Sequence, residues 1–132
     1  MRLVLDTSAA IEVALNRGKA ANFTQLLEEA DETLAPDLFV SDVVNTVWKY
    51  HNFESLNLSD CDRALELALG LVDTLVPGKE LYREAFLLAR TARQPAYDMF
   101  YLALARREDA TFITLDKALR KEAERQGIQV SD

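Results

Sequence analysis

The sequence predicts an α/β sandwich, a parallel sheet covered by helices on both faces, and two observations carry that prediction. Short apolar runs alternate with longer stretches of helical spacing along the whole chain, the pattern of successive strand-helix-strand units. The first run, Leu3-Val4-Leu5, is apolar without alternation, as suits a strand buried on both faces. It stops abruptly on a carboxylate, Asp6, with the hydroxyl residues Thr7 and Ser8 right behind it.

The elements follow in order. After the strand at 2–5, residues 7–16 read as a helix with Ile11, Ala14 and Leu15 on one side, stopping near Gly18. A second helix covers 20–29 and a short strand 32–35. Pro36 suits a first helical position, and Val40, Val43, Val44, Val47 and Trp48 then recur at helical spacing. Ser59 is the expected cap of the next helix, whose stripe is Ala64, Leu65, Ala68, Leu69 and Val72. A strand is expected at 72–76, a turn at Pro77-Gly78, and helices at 79–91 and, after Pro95, at 96–108. The chain closes with a strand at 111–115, a helix at 117–126 stopped by Gly127, and a last short strand at 128–130.

At 132 residues and 49% hydrophobic content, the chain has the material for one core, so 1–132 is expected to be a single domain. The apolar start is too short and interrupted for a secretory signal, and no stretch approaches the roughly 20 apolar residues of a membrane span. A cytoplasmic protein without membrane attachment is the expectation. The one cysteine, Cys61, excludes an internal disulfide and a multi-cysteine zinc site. The one histidine, His51, has no partners in view for a Ser-His-Asp arrangement. Metal and acid chemistry must then use oxygen ligands. A net charge of −7 argues against a simple basic surface for nucleic acid, although basic residues gather between Arg106 and Arg125. A solvated helix face explains them, and a phosphate-steering rim is the sharper reading.

In a parallel sheet, ligands bind outside the carboxyl ends of the strands, and two apolar strands end on aspartate: LVLD at Asp6 and FITLD at Asp116. Each alone is explained as well by a helix N-cap, and the pair is more telling. Asp98, in PAYDMFYLALA, heads a stripe that continues through Leu102 and Ala105, a costly place for a charge unless a helix end, a cation or a metal is near. Asp42 shares a helix face with Asn45 and Thr46; periodicity alone does not select it over Asp37.

LVLDTSAAI, APDLFVSDVVNTVWK, PAYDMFYLALARR and TFITLDKAL, in that order and at those intervals, resemble the PIN-domain nucleases, and most closely the VapC-type toxins of toxin–antitoxin pairs. The resemblance spans essentially the whole chain. It implies a three-layer α/β/α fold and a Mg²⁺- or Mn²⁺-dependent ribonuclease with an acidic metal site. Carried across by motif, the acids are Asp6, Asp42, Asp98 and Asp116, with Asp6, Asp98 and Asp116 as metal ligands and Thr7, Ser8, Asn45 and Thr114 in support. Asp42 stands where the family most often has glutamate, which shortens the reach by about 1.5 Å.

Four converging carboxylates repel one another, and a hard divalent cation relieves that repulsion. Arg106, Lys117 and Arg120 are the expected guides of the RNA backbone. The resemblance also implies a small antitoxin as partner and a homodimer, with Phe39, Trp48, Tyr50 and Phe53 as candidate surface positions. A haloacid-dehalogenase-like phosphatase is disfavoured because Ser8 occupies the place of its second acid, and a receiver-like domain because Asp6 is followed by Thr7. The remaining alternative is a PIN-fold binding module with an impaired metal site.

Overall fold

The computed structural model describes residues 1–132. Four strands, β1 (Arg2–Leu5), β2 (Glu32–Pro36), β3 (Thr74–Val76) and β4 (Thr111–Ile113), form one parallel sheet in the order β3-β2-β1-β4. The helices are α1 (Thr7–Ala14), α2 (Ala20–Glu29), α3 (Leu38–Glu54), α4 (Leu58–Gly70), α5 (Tyr82–Ala92), α6 (Ala96–Glu108) and α7 (Lys117–Arg125). The architecture is the three-layer α/β/α sandwich. Helices α1 to α4 pack on one another, while α5 packs on α6 and α6 lies against β1, β2 and β4. No helix is long and apolar enough to cross a membrane.

The unalternating apolar run behaves as its composition predicts: Leu3, Val4 and Leu5 are each 0% exposed, so β1 is covered on both faces. They belong to a core that also holds Phe23, Phe39, Tyr101 and Phe112. From β1 the chain steps outward through β2 to β3, then returns to place β4 on the other side of β1. The strand order therefore reverses between β1 and β4, which opens a crevice at their carboxyl ends. Leu5 and Ile113 are the last paired residues, and Asp6 N–H donates to Ile113 C=O at 3.2 Å. Asp6 and Thr114 thus leave the sheet side by side.

Several boundaries differ from the sequence reading, each for a local reason. Pro36 ends β2 and does not begin a helix; the ladder to β1 has already stopped at Val4 and Leu34, so its missing N–H breaks no bond. Helix α3 starts two residues later. Helix α4 is capped by Asn57, whose side chain accepts from Asp60 N–H, while Ser59 lies inside it. The end of α1 is reached before Gly18, with Asn16 taking the positive φ of 53°. The stretch expected as one helix from 79 is a 3₁₀ turn, Gly78–Glu80, followed by α5. The last expected strand survives as a single bridge between Phe112 and Val130, after Gly127 at φ 78°. Phe39 is fully buried in the core, so it offers no partner surface.

Candidate active site

Asp6, Asp42, Asp98 and Asp116 line one cleft of about 470 Å³ at the carboxyl ends of β1 and β4. Four different elements deliver them: the β1–α1 junction, the second turn of α3, the first turn of α6, and the junction before α7. The sequence distances are large, and the parallel sheet cancels them.

Asp6 is buried and caps α1 as well as facing the cleft. Its Oδ1 accepts from Ser8 Oγ at 2.7 Å and from Ala9 N–H at 3.0 Å, and its Oδ2 accepts from the Thr114 hydroxyl. Burial pushes the carboxyl up to about 6; the bonds from Thr114, Ser8 and Ala9 oppose this, and the negative charge of Asp116 adds to it. Ser8 and Thr114 are tied into the neighbouring loop as well. Ser8 Oγ accepts from Leu115 N–H at 2.9 Å, and Thr114 Oγ1 accepts from Asp116 N–H at 3.0 Å. Two hydroxyls therefore lock the first acid to the segment that carries the fourth.

Asp116 caps α7, its Oδ1 accepting from Leu119 N–H at 3.0 Å. Capping and cleft-lining prove compatible at both strand ends, because each carboxylate has more lone pairs than its cap uses. Asp98 is different: no side chain caps α6, and its half-buried carboxylate accepts no protein hydrogen bond. Burial raises its pKa, and the charges of Asp116 and Asp42 raise it further.

Asp42 is held by a residue outside the sequence-derived set. Tyr101, buried on α6, donates its hydroxyl proton to Asp42 Oδ2 at 3.1 Å. Its oxygen lies 3.2 Å from Thr7 Oγ1, so Thr7 donates to Tyr101 and Tyr101 to Asp42 in series. Burial and the charges of Asp42 and Asp6 push the phenol far above its ordinary range, which keeps it a donor. Burial raises the pKa of Asp42 itself, against the bond from Tyr101, the nearby Thr7 hydroxyl and the charge of Lys49. Asp37, which periodicity could not separate from Asp42, serves the scaffold instead. Its Oδ1 accepts from Gly78 N–H at 3.1 Å and ties the end of β2 to the turn after β3.

The supporting and basic positions divide. Thr7 and Ser8 line the cleft, and Thr114 binds Asp6 from behind it. Asn45 is exposed and away from the lining; Thr46, one full turn from Asp42, takes that place. Arg106 sits at the far end of α6 from Asp98 and pairs with Glu84 at 3.2 Å, while Arg120 lies 3.5 Å from Asp132. Lys117 is exposed beside Asp116 but does not line the cleft. The polar lining residues that the sequence reading did not assign to the site are Glu12, Thr46, Lys49, Tyr50 and Tyr101. Tyr101 had a legible signal, three residues after Asp98 on the same stripe as Leu102 and Ala105.

By chemistry this donor set suits a hard divalent cation, being all oxygen, mutually repelling and only partly committed to hydrogen bonds. Both oxygens of Asp98 and Oδ1 of Asp42 are free of protein partners. As they stand, no three acidic side chains lie close enough together to hold an ion in common.

The parallel sheet, the helices on both of its faces and the four acids at its carboxyl edge define an α/β protein with an acidic strand-end cleft, and the chain belongs to the PIN domain family, whose model matches residues 3–124. Among individual proteins it is similar to Ribonuclease VapC3 of Pyrobaculum aerophilum, with 27% identity over 121 residues, 90% of this chain and 92% of that one. The structure of PAE2754 from Pyrobaculum aerophilum superposes with a TM-score of 0.72 at 18% identity, covering 92% of this chain and 84% of that one. VapBC2 from Rickettsia felis, bound to a DNA fragment from its promoter, gives a TM-score of 0.69 at 16% identity, with 99% and 98% covered. FitAcB from Neisseria gonorrhoeae gives 0.63 at 18% identity, with 98% and 96% covered. At these identities the structures show a shared fold, and the resemblance to a VapC ribonuclease extends over 90% of the chain.

Proposed function

We propose that this chain is a Mg²⁺- or Mn²⁺-dependent endoribonuclease, one PIN domain over 1–132, acting as the toxin of a VapBC-type pair in the cytoplasm. The observation that carries this reading is the meeting of Asp6, Asp42, Asp98 and Asp116 in one cleft without an ion-paired cation; likeness to a protein named as a ribonuclease supports it. Asp6, Asp98 and Asp116 would hold the ion. When bound, such an ion supplies charge neutralisation at the phosphate and lowers the pKa of a water.

The chain's own contribution is orientation. Ser8, Thr114 and the first turn of α1 fix Asp6 so that its remaining lone pair faces the cleft. Tyr101 holds one oxygen of Asp42, and the other is left to align the attacking water. Asp98 is free to rotate toward whatever enters.

Two surfaces suit the partners implied by the resemblance, an antitoxin and a second copy of the chain. On α3 the side chains Val40, Val44 and Trp48 form an exposed stripe, and Phe53 stands edge-on to Trp48. A second apolar face comprises Tyr82 and Phe86 on α5 with Ala96 and Phe100 on α6. Likeness to the VapBC2 assembly supports a paired protein.

The separation of the acids favours one other reading, a binding module that takes up RNA without cutting it. Incubating a structured RNA pool with the protein in Mg²⁺, Mn²⁺ or EDTA, beside Asp6→Asn and Asp98→Asn, separates the two. Metal-dependent cuts lost in both variants support the nuclease; RNA retained intact by a folded, partner-free protein in all three buffers supports the module.

A further inference from the structure

An anionic strand entering a cleft walled by carboxylates is placed by whatever cations that wall contains. Among the lining residues only Lys49 is basic. It is exposed and makes no ion pair, unlike Arg106 and Arg120. Asp42, Thr46, Lys49 and Tyr50 line the cleft at i, i+4, i+7 and i+8 of α3, so one helix face runs from acid to cation over roughly 10 Å of axis. An offset of that length would let Lys49 meet a phosphate next to the one at the acids.

Tyr50 is held in place from outside the cleft. The Arg17 guanidinium lies 4.5 Å from its ring centroid, and Arg17 Nη1 donates to its hydroxyl at 2.9 Å. Arg17 has no carboxylate partner, so the stacked pair brings a second unneutralised cation to the Lys49 end of the cleft. Tyr50 packs half-buried against the core while Arg17 is exposed, so the pair turns a guanidinium plane outward, a flat surface of the kind on which single-stranded bases stack.

We infer that Lys49 and the Arg17–Tyr50 pair form the face that grips a single-stranded RNA beside the cut, Lys49 on a flanking phosphate and the stacked pair on the next nucleotide. This inference rests on the ribonuclease reading for its substrate. It moves the guiding charge from the helices after Asp98 and Asp116 to α1 and α3.

The test is fluorescence anisotropy of a labelled single-stranded RNA, with Ca²⁺ as the only divalent ion, titrated between about 50 and about 200 mM KCl. Lys49→Gln should weaken binding and lower the slope of log K against log salt by about 0.7, the value for one phosphate contact on a single strand. Lys49→Arg should restore the slope, Arg17→Gln should lower it by a similar amount, and Arg106→Gln should leave it unchanged. A slope unaltered in Lys49→Gln, with metal-dependent cleavage by the unsubstituted protein intact, overturns the inference and leaves the nuclease standing. An equal loss in Arg106→Gln also overturns it, since the effect would then be diffuse charge. A lysine-dependent slope in a protein that never cuts RNA retains the RNA-gripping face, no longer beside a cut, and removes the nuclease. Absence of both binding and cleavage removes the two together.

Discussion

At its amino end β1 places Arg2 between two carboxylates, with Nη2 2.6 Å from Glu108 and 3.4 Å from Glu32. At its carboxyl end it places Asp6 in a cleft with three more aspartates and no cation in contact. Helix α6 repeats the contrast over its own length, with Asp98 in the first turn and the paired Arg106 and Arg107 in the last. The proton affinities follow the same division. Hydrogen bonds from Arg107 and Arg2 hold Glu108 below its ordinary range, whereas burial holds Asp6, Asp42 and Asp98 above theirs. The same residue types serve stability where they are neutralised within the chain and remain available to a ligand where they are not.

The strongest way to break that comparison is to remove one cleft charge. Asp98→Asn should lower RNA cleavage by at least about 100-fold, the upper end of what even an outer-shell partner costs, while leaving thermal stability unchanged or raised, because an unpartnered, half-buried charge is lost. Retained cleavage would place the chemistry elsewhere.

Protonation tests the same idea through stability. With its pKa raised from 3.8 to about 6, Asp6 binds its proton more tightly folded than unfolded. The penalty is fully present above pH 6 and is relieved as pH falls toward 4, about 3 kcal/mol in all, with roughly half regained by pH 5. Urea unfolding should show that gain between pH 7.5 and pH 5 (about 1–2 kcal/mol from Asp6 alone) and lose it in Asp6→Asn. Mg²⁺ should flatten the dependence, since a bound cation favours the deprotonated acid. Glu108 and Glu122, with lowered values, act in the opposite sense and lose their contribution only as pH falls below the ordinary carboxylate range.

Tyr101→Phe sharpens the picture inside the cleft. The ring remains in the core and only the hydroxyl's two bonds, to Asp42 and from Thr7, disappear, so the loss of stability should stay at about 1–2 kcal/mol. Cleavage should fall about tenfold, in kcat more than in KM. An equal fall in the melting temperature and in the fraction of active protein would reduce Tyr101 to a packing residue.

How far the sequence shows this arrangement depends on the kind of signal. The doubly buried strand 2–5 and the acids ending two strands are legible because burial and strand termination act on adjacent residues. Asp42 is not, since its distinction from Asp37 lies in which helix turn faces Asp6 across the sheet; motif resemblance, not periodicity, separates them. Lys49 and Tyr50 lie on the α3 face shared by Asp42 and Thr46, outside the apolar stripe, and acquire meaning only when α1 closes the other wall. Arg106 misleads because proximity to Asp98 in sequence is proximity along a helix that carries it to the opposite edge. Pro36 and Ser59 mislead for a smaller reason: proline is tolerated where a ladder has ended, and Asn57 supplies the cap first.

The gentlest test lies at the paired end. Arg2→Gln removes both of its ion pairs, yet Arg2 is 41% exposed and Glu108 keeps its bond from Arg107 at 2.8 Å. Exposed pairs of this kind contribute about 1 kcal/mol or less, and salt screens them. The expected outcome is a shift of that size in urea unfolding at low salt, smaller at high salt, with RNA cleavage unchanged. The ladder bonds of β1 do not depend on the Arg2 side chain, so Asp6 should stay where Leu5 and Ile113 put it. A fall in cleavage larger than the loss of folded protein would mean that the two ends of β1 are electrostatically coupled through the sheet, and the division between them would fail.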